Sequence, residues 1–358
     1  MIIFMKKILL STAAIAYMFS AASCQRDTIE PAAQEGEVVT ATLTIQTPGQ
    51  LGTKAATSDE QEMIGDGRAA DNLVFAVFDE DGNELTDLRQ GDWVNSIGEN
   101  RSEIVFNNDA APTTTVTVKL VRGKEYTFVC WAQNKAAECY DFEDMKNIGI
   151  SYEQYNVSNN DLRDAFYASV KTGKVTENFS KNITLKRPFA QINVGTTDMV
   201  EAMKAGLEGD NLYSTMTVKN AATVLNTFTG AASEAKEVTF EYGHIVAPDY
   251  KLVIDRDKVV NNPSAAIADQ YDWLAMNYIL VADDTADGAS SALAEVSFAV
   301  RENDAAVLTT YEVSNVPVQR NHRTNIVGGL LTADGEICII IDPLFVGEYV
   351  VGGYSLLK

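Results

Sequence analysis

The sequence predicts an all-β protein whose strands pack as a β-sandwich or barrel. Two observations carry this prediction. Short apolar or alternating runs recur along the chain and are separated by turn signals such as Asp-Gly. Helical periodicity is confined to two short stretches. The chain has 358 residues, more than one core usually organises, so two tandem domains are expected.

The first 23 residues have the features of an export signal. Two lysines precede an apolar run over residues 8–19, which is too short to span a bilayer. Small residues at 21–23 then lead to Cys24, as in the lipobox of a bacterial lipoprotein, where the cysteine thiol is acylated. The alternative is a plain secretory signal that is cut just before Cys24 or one residue earlier.

Strong acidity excludes several partners. The formal net charge is −22, and removal of a signal that holds two lysines makes it −22 − 2 = −24. Such a chain repels nucleic acid and anionic membrane surfaces. Residues 24–36 are polar and without periodicity, and they predict a flexible tether.

The first predicted strand starts at residue 37 and has one apolar face. This face consists of Val39, Ala41, Leu43 and Ile45, which alternate with threonines. Residues 48–70 follow with Gly, Pro and charges but no pattern, and they predict an unusually long exposed loop. Residues 71–85 are apolar on both faces and predict a central strand that ends in an Asp-Gly turn.

The two domains are expected at 37–197 and 198–358, with the boundary placed just before the second predicted helix. Strands are expected at 113–121, 125–132, 181–187, 189–195, 237–242, 250–255, 273–282, 294–301, 307–313 and 336–342. Helices are predicted at 159–170 and 198–207. In the second helix, Asp198 and Glu201 have capping-box spacing, and Val200, Met203 and Leu207 share a face.

Catalytic, cofactor and metal sites are not predicted. The two histidines, His244 and His322, lie far apart without carboxylate or cysteine neighbours and are expected at the surface or a sheet edge. Residues 79–87 are rich in Asp, but glycine and glutamate miss their positions in an EF-hand loop, so a hairpin turn is predicted.

The cysteines beyond the signal indicate packing rather than chemistry. Cys130 and Cys338 lie in apolar strand patterns and are expected to be small core residues. Cys139 follows a short loop, so a Cys130–Cys139 disulfide is the alternative.

Three stretches carry a family likeness: "YTFVCWAQ" (126–133), "LKRPFAQINVGT" (185–196) and "NHRTNIVGGLLT" (321–332). Together with the signal and the Thr-rich first strand, they resemble the fimbrillin-like proteins of Bacteroidota, the subunits of type V pili and related surface lipoproteins. The resemblance implies two transthyretin-like β-sandwich domains and a lipidated precursor on the outer membrane. Independently of the resemblance, the lack of any nucleophile, base or metal constellation predicts that the protein is not an enzyme. It also implies that a surface protease removes the first strand and that an extended segment of another pilin subunit replaces it.

The resemblance places the cut in the loop after the first strand. The family typically presents arginine there, whereas this loop holds Lys54 and Arg68. Lys54 stands where that arginine would be expected, so a protease of different specificity is one possibility. If neither residue is cut, the protein is a cell-anchoring base subunit or a monomeric lipoprotein.

The C-terminal segment is the candidate donor strand. After Asp342-Pro343, which breaks the preceding strand, Leu344, Val346 and Val350 fall on one face, and Glu348 interrupts it. The alternative is an ordinary last strand of the second domain.

A binding function is the alternative to assembly. A surface lipoprotein or pilus-tip adhesin would hold glycan or host protein, and carbohydrate sites favour exposed aromatic side chains. Trp131 and Trp273 lie in apolar strands and are expected in the core, which leaves Trp93, in a polar stretch, as the candidate.

Overall fold

A computed structural model describes residues 36–47, 70–91, 104–105, 113–152, 161–208, 212–243, 251–254, 269–281, 291–302, 307–332, 337–342 and 353–356. The predicted all-β class is confirmed, with one short helix α1 (Met199–Lys204) in these ranges. The first strands are β1 (Val38–Gln46), β2 (Asn72–Phe78), β3 (Ile104–Val105), β4 (Thr113–Val121), β5 (Thr127–Gln133), β6 (Tyr140–Asp141), β7 (Asn147–Ile150), β8 (Ala165–Lys171), β9 (Phe179–Thr184) and β10 (Phe189–Thr196). The later strands are β11 (Leu212–Ala221), β12 (Val224–Asn226), β13 (Ala232–Ser233), β14 (Lys236–Gly243), β15 (Lys251–Ile254), β16 (Asp269–Leu280), β17 (Ser291–Glu302), β18 (Val307–Gln319), β19 (Arg323–Gly328), β20 (Ile337–Asp342) and β21 (Gly353–Leu356).

Two sheets enclose the N-terminal core. The sheet β4-β1-β9 faces the sheet β3-β2-β5-β8. Alternate side chains of β1 and β4 point into this core, while their neighbours point outward, as the period of two requires. The core contains Val39, Leu43, Ile45, Val116, Val118, Leu120 and Ile183 from the first sheet and Leu73, Phe75, Val77, Phe128, Cys130 and Phe166 from the second.

Strands β2 and β5 are buried on both faces, which explains their nearly continuous apolar sequences. Val74 and Trp131 point away from the N-terminal core and join a second, larger core. This larger core also packs the six-stranded sheet β15-β16-β10-β19-β20-β21 against the four-stranded sheet β14-β11-β17-β18. The central strand predicted within residues 71–85 is therefore confirmed as β2, which lies between β3 and β5.

Strand pairing connects the two halves of the sequence. Strand β7 pairs with β12, and β10 lies between β16 and β19 in the six-stranded sheet. A boundary that keeps this sheet whole would lie before Phe189 rather than after residue 197. The division into 37–197 and 198–358 stays a prediction.

The helix predicted at 159–170 is wrong. A 3-10 turn at Asp161–Arg163 is followed by β8, which pairs with β5 from Thr127 opposite Lys171 to Gln133 opposite Ala165. Phe166 packs into the N-terminal core and Tyr167 into the larger core. Burial on both faces of a sheet overrides the weak helical periodicity of this stretch.

The helix predicted at 198–207 exists as α1, but its buried face differs from the prediction. Met199 and Ala202 are buried, whereas Val200 and Met203 are 50% and 42% exposed. The carboxylate of Asp198 makes no cap hydrogen bond with the helix. It accepts hydrogen bonds from the Thr196 hydroxyl and from the segment after β19, including the backbone N–H of Thr332 at 2.7 Å. Asp198 therefore holds that segment beside the start of the helix.

The cysteines and histidines divide between confirmed and corrected expectations. Cys130 and Cys139 are free thiols that lie in different cores, so the alternative disulfide does not form, and Cys130 packs in the N-terminal core as predicted.

His322 is not at the surface: the residue is 4% exposed, and its Nδ1 lies 2.9 Å from the carbonyl oxygen of Arg320. His244 lies outside the described residues. No helix within the described ranges has the length and apolar character to cross a membrane.

Candidate functional site

Strand β1 lies in the middle of its sheet, between two strands that do not pair with each other. All nine residues of β1 pair antiparallel with β4, from Val38 opposite Val121 to Gln46 opposite Thr113. On the other side, Ala41 to Gln46 pair parallel with Phe179 to Thr184 of β9. Neighbouring strands are about 4.8 Å apart, so β4 and β9 lie about 10 Å apart with only β1 between them. We call the space that β1 fills the β1 slot.

The side chains of β1 fit the slot by strict alternation. Ala41, Leu43 and Ile45 are fully buried, and Val39 is 2% exposed. The threonines between them point to the outer face and are half-buried. The predicted apolar face is thus the face that packs into the N-terminal core.

Polar contacts hold both ends of β1. At the start, the Arg122 guanidinium lies 3.3 Å from the Glu37 carboxylate. The backbone N–H of Arg122 also donates a hydrogen bond to the backbone carbonyl of Glu37 at 2.7 Å. At the end, the backbone carbonyl of Gln46 accepts a hydrogen bond from the backbone N–H of Leu185 at 2.9 Å. The side-chain amide of Gln46 donates a hydrogen bond to the Thr184 hydroxyl at 3.0 Å. These contacts fix the register of β1 against both neighbours.

Aromatic rings line the core beneath the slot. Phe75 and Phe128 lie with ring centroids 5.7 Å apart, and Phe128 stacks on Phe179 at 6.5 Å. Phe179 belongs to β9 and is the direct neighbour of Ala41 across the parallel pair. The sequence alone gave no signal that these three rings meet.

The residues expected to take part in processing lie outside the described part of the chain. This holds for Cys24, for Lys54 and Arg68 in the segment between β1 and β2, and for the candidate donor residues Leu344, Val346 and Val350. Their roles stay predictions. The last four described residues, Gly353–Leu356, form β21, which pairs with β20 at the edge of the six-stranded sheet.

Of the three tryptophan side chains considered for glycan binding, the structure describes that of Trp131. Trp131 is fully buried, and its ring N–H donates to the Gln133 side chain at 2.6 Å, which confirms its place in the core. Trp93 lies outside the described residues, and the side chain of Trp273 is not among those described.

The acidic stretch after β2 is a turn, as predicted. The carboxylate of Asp79 accepts hydrogen bonds from the backbone N–H groups of Asp81 at 3.0 Å and Asn83 at 2.8 Å. The bond from the Asn83 N–H is the main reason why the pKa of Asp79 lies below its ordinary value. Within the described ranges, no group of three His, Cys, Asp or Glu side chains could hold a metal ion.

Two arginines, Arg187 and Arg320, are buried and make polar contacts with distant parts of the chain, which was not expected from the sequence. The Arg187 guanidinium makes a two-pronged ion pair with Asp164 at 2.7 Å and donates to the Asn321 side chain at 2.6 Å. Arg320 donates to the Tyr167 hydroxyl at 2.7 Å and to the Val281 carbonyl at 2.6 Å. Arg187 lies within "LKRPFAQINVGT", and Arg320 directly precedes "NHRTNIVGGLLT". An arginine inside or beside an apolar strand was the available signal.

Several solved structures are similar to the chain at low identity. A fimbrial assembly protein from Parabacteroides distasonis is 12% identical, with a TM-score of 0.41 over 85% of this chain and 96% of that one. The tip fimbrial protein Mfa3 from Porphyromonas gingivalis is 12% identical, with a TM-score of 0.44 over 86% and 99%. A structure from Bacteroides thetaiotaomicron, provisionally described as polysaccharide-binding proteins (DUF1812), is 12% identical, with a TM-score of 0.45 over 89% and 99%.

No curated protein matches the chain. A family model described as a family of unknown function, DUF6562, matches residues 33–356, which is most of the chain and includes β1 and β21. The chain therefore belongs to the DUF6562 family.

Proposed function

We propose that the protein is a structural subunit of a cell-surface fimbria, exported as a lipoprotein and polymerised by protease-triggered strand exchange. The observation that carries this proposal is the position of β1. It is the first strand in the described part of the chain and lies at the centre of its sheet, and the segment of residues 47–71 joins it to β2. A cut in that segment would leave β1 in place through non-covalent contacts alone.

Loss of β1 would remove a large part of the free energy that stabilises the fold. Burial of Val39, Leu43 and Ile45 stabilises the fold by about 1.5–3 kcal/mol each, against a total stability of about 5–15 kcal/mol for a typical domain. The backbone groups of β4 and β9 that face the slot would also lose their partners, and unpaired strand edges bind other chains. A strand from a neighbouring subunit restores both the backbone hydrogen bonds and the apolar side chains.

Proteolysis of the purified precursor tests the proposal. Limited digestion with trypsin is expected to release a fragment that ends at Lys54 or Arg68 and to produce concentration-dependent ladders that resist mild SDS. The double variant Lys54→Gln/Arg68→Gln should stay intact between β1 and β2 and remain monomeric. Lys174→Gln, at an exposed position outside that segment, is the matched control and should behave as wild type. Monomers that persist after complete cleavage would refute assembly.

The lipid anchor has a separate test. Cys24→Ser should abolish incorporation of radiolabelled palmitate and shift the protein from the membrane fraction to the soluble fraction. The mass of the wild-type protein recovered from the cell surface reports both the lipid and the cut site. A wild-type mass without acyl chains would refute lipidation and leave the strand-exchange proposal standing.

A further inference from the structure

Ala41 is a small residue in a row of large ones. On the buried face of β1 it follows Val39 and precedes Leu43, yet it is fully buried. Its direct neighbours are Val118 on β4 and Phe179 on β9. Because paired residues point to the same face of a sheet, both neighbouring side chains flank the methyl group of Ala41.

A side chain longer than that of alanine at the position of Ala41 would displace the ring of Phe179, which is held by its neighbours. Its ring stacks on Phe128 at 6.5 Å with an angle of 24° between the planes, and Phe128 in turn lies 5.7 Å from Phe75. Protein cores are close-packed, and extra methylene groups force neighbours out of their preferred conformations. The slot thus has one narrow position between wide ones.

We propose that the narrow position at Ala41 sets the register of the strand that replaces β1, and that Gly352 of a second copy of this chain occupies it. This inference rests on the proposed strand exchange. In this register, Val350, Gly352, Tyr354 and Leu356 take the places of Val39, Ala41, Leu43 and Ile45. The incoming strand runs in the same direction as β1, antiparallel to β4 and parallel to β9.

Other registers of the C-terminal segment fit worse. If Leu344 took the place of Val39, Val346 would enter the narrow position and Glu348 would replace Leu43, which buries an unpaired charge. A start at Val346 would put Glu348 itself into the narrow position. A start at Val351 would put a serine in place of Leu43.

A start at Phe345 also brings a glycine, Gly347, to the narrow position, but its other side chains match less well. It would replace Val39 by phenylalanine and Ile45 by valine. The start at Val350 keeps valine at the first position and exchanges isoleucine for leucine at the last. Swaps that conserve volume are the ones that cores tolerate best.

The second copy can release this segment at little cost. In the folded chain Gly353–Leu356 is a four-residue strand at the edge of its sheet, and among the described strands it pairs with β20 alone. In the slot the same segment would have neighbours on both sides. Short edge strands open more readily than central ones.

Variants of the full-length precursor, each cleaved to completion, test the register through SDS-resistant ladders. Gly352→Leu should reduce ladder formation about tenfold or more, because leucine overpacks the narrow position. Gly352→Ala should assemble as wild type, since alanine is the resident residue. Gly353→Leu, whose side chain would lie on the outer face in place of Thr42, is the matched control and should also assemble.

A compensating change in the slot makes the test specific. Combined with Gly352→Leu, Phe179→Ala should restore ladders toward the level of Phe179→Ala alone, because the smaller side chain on β9 opens the narrow position. A gain of assembly cannot arise from misfolding. Equal assembly of all variants, loss with Gly353→Leu or Gly352→Ala, or no restoration by Phe179→Ala would overturn the inference. Absence of ladders from the wild type would instead refute the strand exchange itself.

Discussion

Each of the four buried residues of β1 is expected to contribute to the free energy of unfolding, and Leu43 serves as the example. Leu43 is fully buried opposite Val116 and Lys181. In the uncleaved protein, Leu43→Ala should lower the free energy of unfolding by about 2–5 kcal/mol, because it removes apolar contact and leaves a cavity. Chemical denaturation measures this change. Thr42→Ala, on the outer face of the same strand, is the control and should stay within about 1 kcal/mol of wild type; equal losses would mean that β1 is not packed as described.

A second residue, Asp198, makes stability depend on pH. Burial raises its pKa, but the hydrogen bonds from Thr196 and Thr332 outweigh that effect and hold the pKa below the usual 3.8. A carboxyl with a lowered pKa in the folded state contributes stability above its unfolded pKa and loses it as the pH falls through the folded pKa. Wild type should therefore lose stability relative to Asp198→Asn below about pH 4, as measured by thermal unfolding at several pH values. A constant difference between the two proteins from pH 7 to pH 2.5 would contradict this.

At the scale of elements, the sequence predicts strands best where it shows a clear pattern, either strict alternation or a continuous apolar run. The Thr-rich alternation of β1 and β4 gave both strands closely, because alternate side chains face the core and water. Strand β8 was missed because its sequence, AFYASVK, is neither a continuous apolar run like those of β2 and β5 nor an alternation with a period of two. Strand β11 was missed although its buried positions alternate, because Ser214 is one of them; its hydroxyl donates to the Leu274 carbonyl at 2.6 Å.

The candidate site was predicted only in part, because a local sequence pattern reveals a strand but not its partners. Local alternation revealed the apolar face of β1, whereas its neighbours β4 and β9 are paired through long-range contacts that no local pattern encodes. The buried ion pair between Arg187 and Asp164 was likewise invisible, since the partners are 23 positions apart and belong to different strand connections.

Removal of the C-terminal segment separates its place in the fold from its proposed role as the donor strand. A chain that ends at Asp342 loses β21, an edge strand of four residues. Its melting temperature before cleavage should fall much less than that of Leu43→Ala, because an edge strand contributes one row of backbone hydrogen bonds. After cleavage it should form no ladders by itself. A truncated chain that assembles like wild type would show that the donor lies elsewhere.

At the scale of the whole molecule, charge opposes association. The mature chain carries a net charge of −22 − 2 = −24 if the signal and its two lysines are removed. Like-charged subunits repel, and salt screens this repulsion with a Debye length of about 8 Å at 0.15 M. Cleaved protein should thus assemble faster at 150 mM than at 20 mM NaCl, as followed by light scattering. A rate that falls with added salt would indicate that attraction between opposite charges governs the encounter.

The two neighbours of β1 run in opposite directions, and this asymmetry gives any resulting fibre a polarity. A replacement that keeps both sets of backbone hydrogen bonds must enter with the same orientation each time. Every copy then points the same way, as in a head-to-tail interface that does not close into a ring. One tip of such a fibre ends in a vacant acceptor and the other in an unused tail, so the two tips differ chemically, and a cap that fits one cannot fit the other.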